Sequence, residues 1–417
     1  MAYLRRSSLL KNSAYKNTLR ACYLGYITQA IVVNLAPIFF VIFKDSYGLD
    51  NSQIGTIVFV LFSLQLFIDL ASAWFVDKIG FRRCAVTAHI AAASGLLLLG
   101  ILPRIMDSYT GILISVIVGA VGSGLIEVII SPIVDLLPAE SKSSAMSLLH
   151  AFYCWGQVLV VAVSTLLLAF IGDGLWYIIP MIWALIPITD AVIFSFVPIP
   201  EPIDGGVRSS PKRFLGTKTF MLAAFVMFAA AMAELSMSQW ASFFAERGLG
   251  INKVAGDLLG PCMFGIFMGI GRTVYGIYGA KLELGRALVG CSLICAAGYF
   301  LTVFSPIPFL SLAGCGISGF GVSLLWPGTL SLTSSKIPGG GTALFALLAL
   351  FGDLGCSVGP WLTGVVSDVA ANTALFSELS HKTGLGIEQL ALRTGLLLIS
   401  VFPILGTLVI RSLSRKK

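Results

Sequence analysis

The sequence predicts an all-α membrane protein of twelve spanning helices, arranged as two pseudo-symmetric six-helix bundles. Three observations carry this. First, 57% of the 417 residues are hydrophobic and only 11% charged, with a mean hydropathy of +0.93; soluble domains carry roughly 25% charged residues. Second, apolar runs of about 20 residues, the length that crosses a bilayer as a helix, recur along the whole chain. Third, the Lys and Arg residues alternate from side to side as the runs are counted. With both termini inside, 21 fall on the cytoplasmic side and 6 outside, the bias of the positive-inside rule. A miscounted span would scramble it.

In order, the runs place six spans near 18–43, 52–76, 84–106, 109–137, 144–172 and 175–198. Six more fall near 218–245, 254–279, 287–304, 307–335, 341–370 and 392–411. The N-terminal MAYLRRSSLLKNSAYKNTLR is basic, lacks a small-residue cleavage site and leads into a run too long for a cleaved signal; it reads as a cytoplasmic tail. Residues 199–216, IPEPIDGGVRSSPKRFLG, form a basic, Pro/Gly/Ser-rich cytoplasmic linker near the midpoint. They divide an N-terminal bundle (1–198) from a C-terminal one (217–417). The halves echo each other. ASAWFVDKIGFRR lies on TVYGIYGAKLELG at an offset of 203, and GSGLIEVIISP lies on ISGFGVSLLWP near 195; paired echoes of this kind mark internal repeats. The outer loop 371–391 is the longest and has room for a short helix.

The chain is poor in catalytic or metal-binding pattern. Its eight cysteines form no CxxC pair, and its three histidines are scattered at 89, 150 and 381. IPGGGTA (337–343) lacks the Lys-Ser/Thr of a phosphate loop, and GIGRTVYG (269–276) has no strand before it. Neither cofactor nor metal is expected. The net charge of +7 sits in short loops, where it sets topology; it does not imply nucleic acid.

The loop Asp77-Lys78-Ile79-Gly80-Phe81-Arg82-Arg83 resembles the Gly-x-x-x-Asp-Arg-x-Gly-Arg-Arg signature of the major facilitator superfamily. It departs from that signature at Ala73, Lys78 and Phe81. Within the superfamily, GSGLIEVIISP resembles the Gly-x-Gly-x-x-Glu…Pro pattern in the fourth helix of fucose-permease-like sugar:proton symporters. That resemblance implies the major facilitator fold, and a glutamate at position 127 that couples protons and binds sugar. The branch carries an aspartate in its first helix, where this chain has Asn34, which binds a hydroxyl but cannot titrate.

Glu127 has no charged neighbour within seven residues. A carboxylate at the bilayer centre costs about 3 kcal/mol on insertion scales, and such groups usually face cavities or carry protons. The alternative is a protonated Glu bonded to a neighbouring helix. Glu234 and Asp353, on faces rich in Gly, Ala and Ser, compete with it as coupling acids or serve as structural pairs. Tyr153, Gln157 and Gln239 are candidates for hydroxyl recognition, with Trp240 and Trp326 as stacking surfaces. His150 reads as a proton relay or as packing, and Asp190 has no evident role. Asp69 and Arg272 occupy equivalent places in the two halves. With Asp77, Lys78 and Arg82 they are expected near the cytoplasmic ends as gating contacts. The expected function is proton-coupled symport, or Na⁺-coupled, of a small polar solute, a sugar or sugar-like molecule, by a monomer in the cell membrane. Alternatives are an efflux antiporter for amphipathic compounds or, from another class, a membrane-embedded enzyme or sensor.

Overall fold

The computed structural model describes residues 15–137, 142–199, 215–278, 283–337 and 341–414. Among them every regular element is helical, and twelve helices are long and apolar enough to cross a membrane. The spans are Lys16–Tyr47, Asn51–Ser72, Phe81–Ile105, Ser108–Val134, Leu148–Ile171, Ile178–Phe196, Lys218–Gly248, Lys253–Tyr275, Leu284–Phe304, Pro308–Lys336, Leu347–Ala371 and Ile387–Ser414. Expected and observed ends agree to about a turn. The last span begins at Ile387, about a turn before the expected start, because Glu388 and Arg393 are accommodated inside the helix. The loop before it does hold a short helix, Ala374–Thr383.

Several spans are interrupted, and the sequence says where. The first runs as a helix from Lys16 to Asn34, tightens into a 3-10 turn over Ala36–Phe39 and resumes over Phe40–Tyr47. Pro37 has no N–H to give and its ring crowds the preceding turn, so the ladder breaks there. Gly48 then ends the helix at φ +69°, a backbone that glycine adopts without strain. The eighth span widens into a π-turn over Leu258–Cys262, at Pro261. The tenth breaks between Val322 and Leu325, just before Trp326 and Pro327. Asp107 caps the fourth span, its carboxylate accepting from the Thr110 N–H (2.9 Å) and hydroxyl (2.7 Å). Those bonds hold its carboxyl below the usual carboxylate range.

The chain forms two compact units. One takes the described residues up to Val33, Leu64–Gln157, and those from Tyr177 to 199. The other takes Asn34–Ser63, Val158–Trp176 and the described residues from 215 onward. The division does not follow the midpoint linker: residues 34–63 and 158–176, from the first half of the sequence, pack with the second half.

Close helix packing in both units rests on small residues, as expected where lipid removes the usual hydrophobic drive. In the first, a Cβ placed on Gly95 of the third span would lie 2.5 Å from Gly119 Cα and 2.9 Å from the Ser115 carbonyl of the fourth. The second repeats the device between the ninth and tenth spans, where a Cβ on Gly298 would lie 2.6 Å from Ser318 N and 2.8 Å from the Gly314 oxygen. Backbone cannot yield as a side chain does. Gly95→Leu is therefore expected to lower stability by about 3 kcal/mol or more, at or beyond the upper end for overpacking. Thermal denaturation in detergent measures this against Gly290→Leu, a site with nothing within 4 Å, where little change is expected.

Candidate functional site

In the first unit the fourth span presents Ser123, Glu127 and Ser131 at i, i+4 and i+8, one face of the helix. Each is engaged from another span. The Gln29 amide donates to Glu127 Oε2 at 2.8 Å, and the Gln65 amide donates to the same oxygen. Ser123 donates to Gln65 Oε1 at 3.2 Å, which fixes the Gln65 side chain with its NH₂ toward Glu127. One turn further along, Tyr26 and Ser131 share a hydrogen bond of 2.7 Å, and the His150 ring stands edge-on to Tyr26, centroids 5.3 Å apart. Gln29, Gln65 and Ser123 are all buried. A carboxylate offers about four lone-pair directions, so two amides on one oxygen leave the group capacity for more.

Asp69 belongs to this cluster too. It lies one turn past Gln65, and its carboxylate comes within 4.8 Å of that of Glu127. The sequence reading set Asp69 near the cytoplasmic end; in the structure its place follows from Gln65, which turns that face of the second span toward Glu127. Tyr153 and Gln157 lie on the fifth span in the same unit, Gln157 buried. Arg82 closes a helix end here. Its guanidinium donates to the carbonyls of Phe194 (3.0 Å), Ser195 (2.6 Å) and Val197 (2.8 Å), where the sixth span runs out of N–H partners. Lys78 is exposed, and the side chain of Asp77 lies outside the described residues.

The second unit holds the remaining candidates. Glu234, in the seventh span, pairs with Arg272 of the eighth at 3.6 Å; this helix is anchored just before the acid by the Tyr299 hydroxyl, which donates to the Ala233 carbonyl at 2.6 Å. Arg272 was expected with the gate and instead stands beside a mid-span acid. Asn34 is buried where the first helix breaks, and Gln239 and Asp353 are buried in the seventh and eleventh spans. The Trp326 indole lies against Gly352, where a Cβ would overlap the ring. Trp240 is 1% exposed. Its indole N–H donates to the Pro360 carbonyl at 2.9 Å, and Phe40 and Phe243 pack on the ring.

Gln29, Gln65, Tyr26 and Ser131 were not among the residues singled out by sequence. The signal was present in part: a glutamine buried in an apolar helix is costly unless bonded. Asp190 gains a partner as well. Its Oδ2 lies 2.8 Å from His89 Nε2, with both side chains fully buried.

Twelve apolar spans among the described residues, some interrupted at prolines and one carrying a bonded carboxylate, are the elements of a solute carrier. The Major Facilitator Superfamily profile matches residues 22–360, and the chain belongs to that family of membrane transporters; it is not an enzyme. Three solved structures share the fold. One is a bacterial homologue of the human lysosomal transporter Spinster, inward-facing and occupied, with a TM-score of 0.76 and 15% identity over 98% of each chain. Another is the E. coli fucose:proton symporter, at 0.66 and 16%, covering 97% of this chain and 100% of its own. The third is the E. coli xylose transporter, partially occluded and inward-open, at 0.75 and 12%, covering 96% and 99%. No curated protein matches by sequence.

Proposed function

We propose that the protein is a proton-coupled symporter of a small, hydroxyl-rich solute, a sugar or sugar-like molecule, working as a monomer in the cell membrane with both termini in the cytoplasm. The observation that carries this reading is the Glu127 carboxylate held by two glutamine amides beside Asp69. Amide donors favour the charged form of a carboxylate, while partial burial and a second carboxylate within 4.8 Å favour the neutral one. Such a group changes charge when one of these influences is altered, and an arriving solute alters them. Tyr, Gln and Ser hydroxyls and amides around it suit a ligand that offers donors and acceptors in turn. The resemblance of GSGLIEVIISP to the fucose-permease branch points the same way.

In this reading the two six-helix repeats, 1–198 and 217–417, rock about a midplane site and expose it to each side in turn. Asn34, Tyr153, Gln157, Gln239 and Trp326 are the supporting solute contacts. Glu234 and Asp353 are reserve acids, with Arg272 as counter-ion to Glu234. Lys78, Arg82 and Asp77 act at the inner ends. Trp240 serves packing at the outer ends, since its indole N–H is already committed to Pro360.

The test is proton movement in proteoliposomes. Pentoses, hexoses and nucleosides added outside should make the external medium more alkaline, and an imposed pH gradient, acid outside, should drive uptake. Solute uptake that follows a Na⁺ gradient and ignores pH, or proton exchange with lipophilic cations and none of the polar solutes, overturns the reading.

A further inference from the structure

We infer that Asp368 is the positioning residue that holds the outer end of the second span shut, by capping that helix from a distant part of the chain. The second span begins at Asn51, and the N–H groups of its first turn have no partner inside the helix. Their accounting is complete. The Asp50 carbonyl takes the first intrahelical bond, from Ile54 N–H at 3.0 Å. Asp50 and Gln53 form a reciprocal local cap, Gln53 N–H to Asp50 Oδ1 at 2.6 Å and Asp50 N–H to Gln53 Oε1 at 3.0 Å. The two N–H groups this leaves, Asn51 and Ser52, donate to Asp368 at the far end of the eleventh span, at 3.3 and 2.5 Å. The Ser52 hydroxyl adds a third bond at 2.6 Å.

The sequence is cut for this approach. Gly364 stands one turn before Asp368, and a Cβ there would overlap the Asn51 carbonyl; a Cβ on Gly55 would come within 3.1 to 3.3 Å of Trp361 and Pro360 backbone. Two glycines thus bring the helices together where the carboxylate meets the positive end of a helix dipole.

The cap is divided in a way that suits a contact made and broken in each cycle. Its local half, Asp50 with Gln53, is independent of Asp368. Its distant half uses the two outermost N–H groups, which water can reach when the helices part, so separation leaves no buried donor unsatisfied. Other bonds between the same parts of the chain are weaker candidates for the hold. Arg247–Asp45 and Lys44–Glu388 are partly exposed ion pairs, worth little at a surface. Thr165 donates to Asp257 at 2.6 Å, but that carboxylate is also held by Lys253 and Ser242 and remains bonded without it.

The experiment reads conformation and needs neither solute nor proton, so its failure is separable from failure of the symport reading. On a cysteine-free background, nitroxide labels at the exposed positions Ser46 and Ser377 report the outer separation by pulsed spin resonance. Deuterium exchange over residues 49–56 reports the cap. Asp368→Ala is expected to raise the ratio of open to closed separations about tenfold, within the range for loss of a capping side chain, and to speed exchange at Asn51 and Ser52. Ser52→Ala removes one bond of the three and should move both readouts the same way by less; it serves alone if Asp368→Ala does not fold. Faster exchange with an unchanged separation would make Asp368 a cap and nothing more, and unchanged values of both would remove it from the hold altogether.

Discussion

Glu127→Gln is expected to abolish accumulation while leaving exchange of solute across the bilayer intact. A symporter moving one proton per solute concentrates its cargo about tenfold for each unit of pH difference. In the variant that ratio should fall to one at every gradient. The prediction is sharp because of what surrounds the group. Glutamine keeps a carbonyl oxygen in place for the Gln29 and Gln65 amides, which now donate to Glu127 Oε2, and it keeps the side chain's length. It loses the negative charge and the second acceptor oxygen, and with them the capacity to take up and release a proton. Counterflow, with labelled solute outside and unlabelled inside, measures exchange with no gradient; uptake under an imposed pH step measures coupling. Accumulation that persists with the wild-type pH dependence would move the coupling to Asp69, Glu234 or Asp353. Loss of counterflow as well would mean that Glu127 binds solute chiefly through its charge.

The contrast between Glu127 and its glutamines shows which parts of the site could be read from sequence. Twelve spans were legible because length and hydropathy are properties of single segments, and the solvent sets both. The breaks at Pro37 and Pro261 were not read, because the spans were drawn from hydropathy, while a proline acts through its missing N–H and crowding ring. A lone acid in an apolar run stands out, so Glu127, Glu234 and Asp353 were visible. Gln29 and Gln65 were not. An uncharged amide is a weaker anomaly, and its meaning lies in a partner 98 or 62 residues away. Arg272 and Asp69 were recognised as a matched pair, but not as neighbours of the acids they stand beside, Glu234 and Glu127. The offset between repeats gives equivalence of position and says nothing of neighbours. Asp368 reads as an ordinary charge at a span end; only the helix it caps, 316 residues earlier, shows its use.

Asp190 and His89 were each noted in the sequence and assigned nothing, and together they yield the other large effect. Both side chains are fully buried, and Oδ2 and Nε2 are 2.8 Å apart. His89 Nδ1 faces the Ala85 carbonyl at 2.7 Å. A carbonyl only accepts, so that nitrogen carries a proton and donates it, and Nε2 is the nitrogen left to face the carboxylate. Gly25 makes room: a Cβ there would lie 3.3 Å from Nε2 and 3.6 Å from Oδ2. Asp190 Oδ1 has no hydrogen-bond donor among the described residues. Removing His89 alone would strand a carboxyl group in apolar surroundings, and removing Asp190 alone would strand the imidazole. His89→Leu and Asp190→Leu should therefore each cost about 3–5 kcal/mol, seen as a large fall in thermal midpoint in detergent. The double variant replaces the pair with apolar volume and should recover most of that loss, because the attraction within a buried pair is largely cancelled by desolvation. The two residues touch, so the cycle should be strongly non-additive. Additive losses would mean that each side chain is held by its own surroundings and that the pair between the third and sixth spans contributes nothing of its own.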